Sequence, residues 1–238
     1  MGEDKTKVYR HELKFLINQY HYMVLRERLK YIFKTDANAT KNEYHVRSLY
    51  FDDMFKSAYR TKGDGVLDRK KLRIRIYDFK DDLIKLEKKE KHDQFVCKTV
   101  QTIDKEMVNK IIKGNMYDYQ IKGQTLLDEW VFRMRNQDLR PSVIVDYNRE
   151  TFIMEPGNVR ITFDKNLCAV DCQQDIFQRD VVSKPVLDPK LMIMEIKYTD
   201  FLPSIVKEVM QVGSLERTAI SKYTMCIDKL KAGGYVNV

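Results

Sequence analysis

The sequence lacks the long apolar segments that would take the chain into or across a membrane. None of its 238 residues lies in an uninterrupted apolar run of about 18 residues, the length that a membrane-spanning helix needs. The opening stretch MGEDKTKVYR has no apolar core of the kind found in secretion signals. These absences predict a cytoplasmic protein with no membrane span in this chain.

Cysteine and proline are also scarce. Four cysteines are too few and too scattered for a disulfide framework in a chain of this length, so we expect reduced thiols in the core. The five prolines mark no linker, and there is no internal repeat or low-complexity tract. The sequence therefore predicts a single domain over residues 1–238.

Several common site motifs are missing as well. The chain has no GxxxxGK[ST] loop, no GxGxxG after a strand and no HExxH, so P-loop, Rossmann and zincin sites have no support. Its aromatic residues do not follow RNA-recognition spacings, and no specific nucleic acid is expected. The net charge of +8 nevertheless favours an anionic partner.

What the sequence does contain is a repeated alternation of charged and apolar residues. In RKKLRIRIY, Lys71, Arg73 and Arg75 alternate with apolar residues, which predicts a strand with one cationic face. RHELKF and LIKLEKKEK show the same pattern. One such strand is commonly a solvated surface with ion pairs, but three of them predict a shared polyanion site.

The remaining signals predict an α+β fold. We expect about seven or eight mostly antiparallel strands, including one at about 8–17 and two more at 69–79 and 82–92. Helices are predicted to begin after Asn18 and Asp104, with others near the C-terminus. If the sheet closes into a barrel, its charged faces point into one lumen and helices cover its apolar exterior.

Charged residues of these strands and of the second half of the chain are the candidate site. The basic candidates are Arg10, Lys14, Arg73, Arg75, Lys89, Lys98, Arg149, Arg160, Lys197 and Lys222. The acidic candidates are Glu12, Glu87 and Glu195. Basic side chains hold phosphate oxygens and carboxylates hold a divalent cation, so the set suits phosphoryl transfer without a protein nucleophile. Taken alone, Glu195 and Lys197 could equally be a structural ion pair, and Lys222 would face solvent.

The order of YRHELKF, SLYFDD, KLRIRIY, KLEKKEK, DYNRETF, VRITFD, MEIKY and SKY resembles that of VTC-type polyphosphate polymerase domains. These belong to the triphosphate tunnel metalloenzyme (CYTH-like) superfamily, and the resemblance covers about residues 8–230. It implies an antiparallel β-barrel tunnel with helices packed around it. It also implies transfer of the ATP γ-phosphate to a growing polyphosphate or pyrophosphate end, with Mn²⁺ or Mg²⁺, releasing ADP.

The resemblance also implies a role for each candidate. Phosphate binding falls to Lys14, Arg73, Arg75, Lys89, Lys98, Tyr147, Arg149, Arg160, Lys197 and Lys222, with Arg10 added from the strand pattern. Arg73, Arg75, Lys197 and Lys222 are the catalytic candidates among them. Glu195 matches the metal-binding glutamate, and Glu12 and Glu87 are further metal candidates.

Two departures from the family keep alternatives open. Ala219 stands where the eukaryotic domains have a lysine, which removes one tunnel contact. Glu12 resembles the acidic opening of relatives that hydrolyse triphosphate, so a metal-dependent triphosphatase is one alternative, and a non-catalytic module binding polyphosphate or nucleic acid is another. The chain resembles a stand-alone bacterial form, in which delivery across a membrane would need an unknown partner.

Overall fold

The structure is a computed structural model that describes residues 10–35, 43–92, 95–123, 125–199, 201–213 and 215–234. Its strands are β1 (His11–Asn18), β2 (Lys34–Thr35), β3 (Glu43–Asp52), β4 (Arg69–Tyr77), β5 (Ile84–His92), β6 (Phe95–Ile103), β7 (Arg140–Met154), β8 (Val159–Val170), β9 (Ser183–Pro185) and β10 (Leu191–Tyr198). Its helices are α1 (Gln19–Lys30), α2 (Ser57–Gly63), α3 (Lys105–Ile112), α4 (Leu126–Gln137), α5 (Ser204–Val209) and α6 (Lys222–Ala232). Within these ranges no helix is long and apolar enough to cross a membrane. Residues 8 and 9 of the predicted first strand lie outside them.

The strands form one antiparallel sheet of ten strands, more than the seven or eight predicted. Eight of them follow the order β1-β10-β8-β7-β3-β4-β5-β6, while β2 pairs with β7 and β9 with β8. The sheet curls until its two edge strands meet, where the Arg10 backbone N–H donates to the Val96 carbonyl oxygen at 3.3 Å. The predicted α+β class with a curled antiparallel sheet is confirmed.

Alternation along β4 decides which face of this sheet is which. Leu72, Ile74 and Ile76 are buried in an apolar core with Trp130 of α4, on the convex side of the sheet. The basic residues of β4 therefore lie on the concave side, because successive side chains of a strand point to opposite faces. Burying three aliphatic side chains on one face stabilises that orientation by several kcal/mol, at roughly 1.5–3 kcal/mol each.

Short polar side chains start the helices where the sequence predicts. Asn18 Oδ1 accepts from the His21 backbone N–H at 2.9 Å, and Asp104 Oδ1 from that of Met107 at 2.7 Å. The stretch AISKYTMCIDKLK predicts a last helix from Ala219, but α6 begins at Lys222, because Ser221 caps it and its Oγ accepts from the Thr224 backbone N–H at 3.3 Å.

The turn residues Pro156 and Gly157 predict a hairpin, whereas no sequence pattern predicts strand β6. The predicted hairpin across Pro156 and Gly157 joins β7 to β8, and Gly157 has φ 71°, where a Cβ would lie 2.5 Å from the Phe201 carbonyl oxygen. Strand β6 was not predicted. Its consecutive residues 98–100 are all exposed, so the strand has no clean period of two.

Helix α6 departs from the expected arrangement of helices outside the sheet. Its Tyr223, Ile227 and Leu230 pack against Val145 and Tyr147, which share the concave face with Arg149. The helix therefore fills part of the concave side and leaves the charged remainder open beside its N-terminal end. The other large cores, on the convex side, match the expected apolar exterior.

Candidate functional site

A cavity of about 470 Å³ lies on the concave face beside the start of α6. Among the described residues, eleven basic and two acidic side chains line it. The basic ones are Lys14, Arg69, Lys71, Arg73, Arg75, Lys89, Lys91, Arg149, Lys197, Arg217 and Lys222, and the acidic ones are Glu12 and Glu195. So large an excess of positive charge around one space favours a polyanionic ligand.

Two arginines of β4 are held on the wall by residues of neighbouring strands. Arg73 donates from Nε to Glu87 Oε2 at 2.6 Å and from Nη1 to the Tyr50 hydroxyl oxygen at 2.7 Å. Arg75 donates from Nη2 to the Tyr147 hydroxyl oxygen at 3.1 Å. These bonds fix the orientation of both guanidinium groups before any ligand arrives, which lowers the cost of binding phosphate oxygens.

Across the cavity, one buried carboxylate orients two further cations. Arg149 donates from Nε and Nη2 to the two oxygens of Asp164, at 2.6 and 2.7 Å. The Lys222 ammonium, at the first residue of α6, lies 2.5 Å from Asp164 Oδ2 and 2.7 Å from Glu195 Oε1. Lys222 thus points into the site rather than into solvent, because α6 docks on the concave face.

The two wall carboxylates share a group of lysines between β1, β5 and β10. Lys89 Nζ lies 2.8 Å from both oxygens of Glu12. Lys197 Nζ lies 3.9 Å from Glu12 Oε1 and 3.3 Å from Glu195 Oε2, and Lys14 Nζ lies 3.5 Å from Glu195 Oε1. One ammonium group therefore reaches both carboxylates at once.

These contacts favour the charged forms of Glu195 and Lys222. Burial by itself would raise the pKa of Glu195, but the neighbouring ammonium groups, Lys14 first, hold it well below its ordinary value. Burial would likewise lower the pKa of Lys222, but Asp164 and Glu195 raise it above its ordinary value. Glu195 and Lys222 therefore keep their charges at neutral pH, whereas burial lowers the pKa of Lys89 to about 8.

Comparison with known sequences identifies the family to which these residues belong. The VTC domain pattern matches residues 9–231. The chain belongs to the VTC domain family. The resemblance inferred from the order of the sequence motifs is therefore confirmed. Comparison with curated protein sequences gives no match.

Solved structures agree with this assignment at the level of fold. A proposed adenylate cyclase from Bacillus halodurans has a TM-score of 0.50 and 13% sequence identity, over 98% of this chain and 93% of that one. A proposed adenylyl cyclase from Hippeastrum with a dominant triphosphatase activity has the same TM-score and identity, over 95% and 96%. At 13% identity these similarities establish the fold alone, which is the triphosphate tunnel fold.

Ten of the fourteen predicted site residues of this VTC domain line the cavity. They are Glu12, Lys14, Arg73, Arg75, Lys89, Tyr147, Arg149, Glu195, Lys197 and Lys222. The other four lie elsewhere. Glu87 pairs with Arg73 and Lys98 on the concave face beside the cavity. Arg160 Nη2 donates to the Tyr44 hydroxyl oxygen at 3.3 Å, and Arg10 is exposed at the strand edge.

Sequence reasoning overlooked several wall residues and one residue behind it. Asp164 could have been suspected, because it lies four residues after Arg160 on β8 and therefore on the same face of the strand. Lys71 was predicted on the cationic face of β4 but not named as a site residue, and Arg69 continues the same alternation, so its position could have been inferred. Arg217, in the segment between α5 and α6, carried no signal, because no periodic pattern covers that segment.

The carboxylates of the wall fit a divalent cation in one specific way. Among the described residues there is no cluster of three or more His, Cys, Asp or Glu that could hold a metal unaided. Glu12 and Glu195 both contact the Lys197 ammonium group, and they are the residues that would hold a cation. Two carboxylates suit Mg²⁺ or Mn²⁺, which take their other ligands from substrate phosphates and water.

Proposed function

We propose that this VTC domain is an ATP:polyphosphate phosphotransferase that extends a polyphosphate chain within the basic cavity. The observation that supports it best is the wall itself, where eleven basic side chains face two carboxylates around one space. A neutral or singly charged substrate would leave most of that charge without a partner. A nucleoside triphosphate together with a phosphate polymer would supply enough negative charge to pair with it.

The binding step rests on the oriented arginines. Arg73 and Arg75 on β4 and Arg149 on β7 all present guanidinium groups to the cavity, and β3 pairs with both strands in the same sheet. Guanidinium forks bind phosphate oxygens in a bidentate manner. They would hold the triphosphate of ATP and the end of the polymer close to each other, which converts a bimolecular reaction into a local one.

The transfer step needs no protein nucleophile. A terminal oxygen of the polyphosphate chain forms a bond to the γ-phosphorus, while the bond from that phosphorus to the β,γ-bridging oxygen breaks and its electron pair leaves with ADP. Lys197 and Lys222 neutralise charge on the equatorial oxygens of the transferred group. Both are already fixed by carboxylates, Lys197 by Glu195 and Lys222 by Glu195 and Asp164.

Glu195 and Glu12 would hold the divalent cation. When bound, Mn²⁺ or Mg²⁺ supplies charge neutralisation on the phosphate oxygens. Glu195 is the stronger candidate because it is 5% exposed and contacts three of the wall lysines. Glu87 stays a prediction as a ligand, and its oxygens already pair with Arg73 and Lys98.

The direct test is product analysis. Purified protein is incubated with ATP and Mn²⁺, with and without a pyrophosphate or short polyphosphate primer, and the products are resolved on a gel stained for polyphosphate. A ladder that grows in step with ADP release supports the proposal. Removal of the metal by EDTA should stop the reaction. No turnover under any metal would contradict it and favour a non-catalytic polyphosphate-binding module.

A matched pair of variants tests the role of Glu195. We expect Glu195→Gln to lower turnover about 100-fold, since it removes a charge from the metal and lysine contacts while keeping the side-chain shape. Glu155→Gln, at an exposed surface ion pair with Lys34, is the control and should match the wild type. Unchanged turnover in Glu195→Gln, with the protein folded, would remove Glu195 from the mechanism.

A metal-dependent triphosphatase is the second candidate, favoured by one observation. Glu12 lies on the wall beside Glu195 instead of facing solvent, so the site offers two carboxylates to a metal. Water would then be the acceptor. Release of orthophosphate from triphosphate without any ladder would identify this activity in the same gel and phosphate assay.

A further inference from the structure

Four basic residues of the cavity wall have no role in the chemistry proposed above. They are Arg69 and Lys71 on β4, Lys91 on β5 and Arg217 in the segment between α5 and α6. Arg69 and Lys91 are direct partners in the β4–β5 register, and Lys71 is the partner of Lys89. We call these four the outer basic cluster, because they lie at the end of β4 away from Arg75.

The outer basic cluster extends the row of cations on β4. Arg69, Lys71, Arg73 and Arg75 share one face, and the six residue steps from first to last span roughly 20 Å at about 3.3 Å per residue. That distance exceeds the length of a triphosphate. Arg73 and Arg75, with the residues opposite them, already provide contacts for a triphosphate, so the outer residues border space that only a longer anion would occupy.

Two residues of the outer basic cluster also differ from the inner cations in their acidic partners. The inner cations are paired with carboxylates, for example Arg73 with Glu87 and Arg149 with Asp164. Within the described part of the chain, neither Arg69 nor Arg217 has a carboxylate within 4.0 Å. Their charge is therefore available to a ligand without the loss of an existing ion pair.

Lys71 connects the cluster to the segment that ends at α6. Its Nζ donates to Ser221 Oγ at 2.7 Å, which orients the ammonium group. The same segment is bound to β1, since the Thr218 backbone N–H donates to the Lys14 carbonyl oxygen at 2.9 Å. These contacts place Arg217 over the same cavity and give the cluster a defined position.

We infer that the outer basic cluster is a phosphate subsite that selects linear phosphate chains longer than a triphosphate. The inference rests on the proposed function, because it concerns the same cavity and names the part of its ligand that lies beyond the reacting phosphates. The cluster then contributes to the affinity for polyphosphate and not to the affinity for a triphosphate.

The test compares affinities for sodium triphosphate and for a long polyphosphate, measured in EDTA so that no turnover occurs. The variant is Arg69→Gln/Arg217→Gln, and the control is Lys34→Gln/Lys110→Gln, which removes the same charge from two exposed surface ion pairs. For each ligand, the affinity of the variant is divided by that of the control. A long chain can bind in many overlapping positions, but this statistical factor is the same for both proteins and cancels.

We expect the affinity of the Arg69/Arg217 variant for long polyphosphate to fall about tenfold relative to the control, since two charge-assisted contacts are lost. Its affinity for triphosphate should stay within about twofold, because only long-range attraction changes. The salt dependence of long-chain binding should also become shallower, as fewer cations meet the polymer.

Other outcomes would overturn the inference. An equal loss for both ligands would place the cluster within the triphosphate site, and no loss for either would remove it from binding. A wild type that makes polyphosphate from ATP while the variant keeps its long-chain affinity would refute this subsite alone. A wild type that binds neither anion would refute both this subsite and the proposed function. If the double variant does not fold, Arg69→Gln alone gives the same comparison, with Lys34→Gln as its control.

Discussion

Two buried arginine–aspartate pairs lie on opposite faces of the same sheet and are almost identical in geometry. On the concave face, Arg149 meets Asp164 through two bonds of 2.6 and 2.7 Å. On the convex face, Arg47 meets Asp146 through two bonds of 2.8 and 2.7 Å. All four side chains are less than a tenth exposed. Geometry of the pair alone thus does not distinguish a binding site from a structural contact.

What surrounds each pair makes the difference. The remaining Arg47 nitrogen donates to the carbonyl oxygens of Ile176 and Gln178, so its capacity is used up in holding the chain between β8 and β9. Asp164 is shared with Lys222, and Arg149 borders the cavity. The Arg149–Asp164 pair on the concave face thus brings two cations to one cavity. The Arg47–Asp146 pair on the convex face instead holds a loop in place. This difference separates binding from stability and can be tested on both sides.

The largest effect is expected for the Arg47–Asp146 pair on the convex face. Arg47→Ala should lower the free energy of unfolding by about 3–5 kcal/mol, because it removes the arginine partner of the buried Asp146 carboxylate. Turnover per folded molecule should be unchanged, since Arg47 does not reach the cavity. Urea unfolding and an activity assay below the transition measure the two quantities. A folded Arg47→Ala protein with lost turnover would show that the two faces are coupled.

At the Arg149–Asp164 pair on the concave face, a substitution should instead lower turnover and leave stability almost unchanged. Arg149→Lys keeps a positive charge near Asp164 but loses the planar fork, so turnover should fall about 100-fold. Stability should change by only about 1 kcal/mol, because Lys222 still pairs with Asp164. Arg133→Lys, at the partly buried ion pair with Glu129 on α4, is the matched control. Comparable losses of activity in both variants would contradict a special role for Arg149.

Much of the fold was predictable because local physics agrees with the final arrangement. Alternation on β4 placed its apolar residues in the convex core, and Asn18 and Asp104 started their helices through side-chain caps. Strand β6 was missed because an edge strand has fewer buried neighbours, so its exposed residues 98–100 obey no alternation. The position of α6 on the concave face depends on tertiary packing, which no local pattern encodes.

For each site residue, the sequence predicted the face of the strand on which it lies but not its position along the barrel. A period of two assigns a residue to one face of a strand, which brought Arg73, Arg75 and Lys197 to the cavity. It does not say how far along the barrel a residue lies. Arg160 shares the face of Asp164 yet lies off the wall, where it meets Tyr44. Family resemblance supplied Lys222, whose helix alone would have suggested solvent.

The smallest expected effect concerns the aromatic ring beside each arginine. The Arg47 guanidinium lies 4.6 Å from the centre of the Phe79 ring, and that of Arg149 lies 5.1 Å from the centre of the Tyr147 ring. Only the inner ring carries a hydroxyl, and that hydroxyl accepts from Arg75 at 3.1 Å. Tyr147→Phe therefore makes the inner ring resemble the outer one and isolates the contribution of a single hydrogen bond.

We expect Tyr147→Phe to reduce turnover about fivefold, the equivalent of one ordinary hydrogen bond of about 1 kcal/mol. The ring stays in place, so the cation–π contact with Arg149 and the packing against α6 should persist. Tyr119→Phe, which removes a hydroxyl bonded to Asp128 on the convex side, serves as the control and should leave turnover as in the wild type. If Tyr147→Phe matched that control, the hydroxyl would only support the wall, and the orientation of Arg75 would have to come from its bond to Ser48 at 3.0 Å.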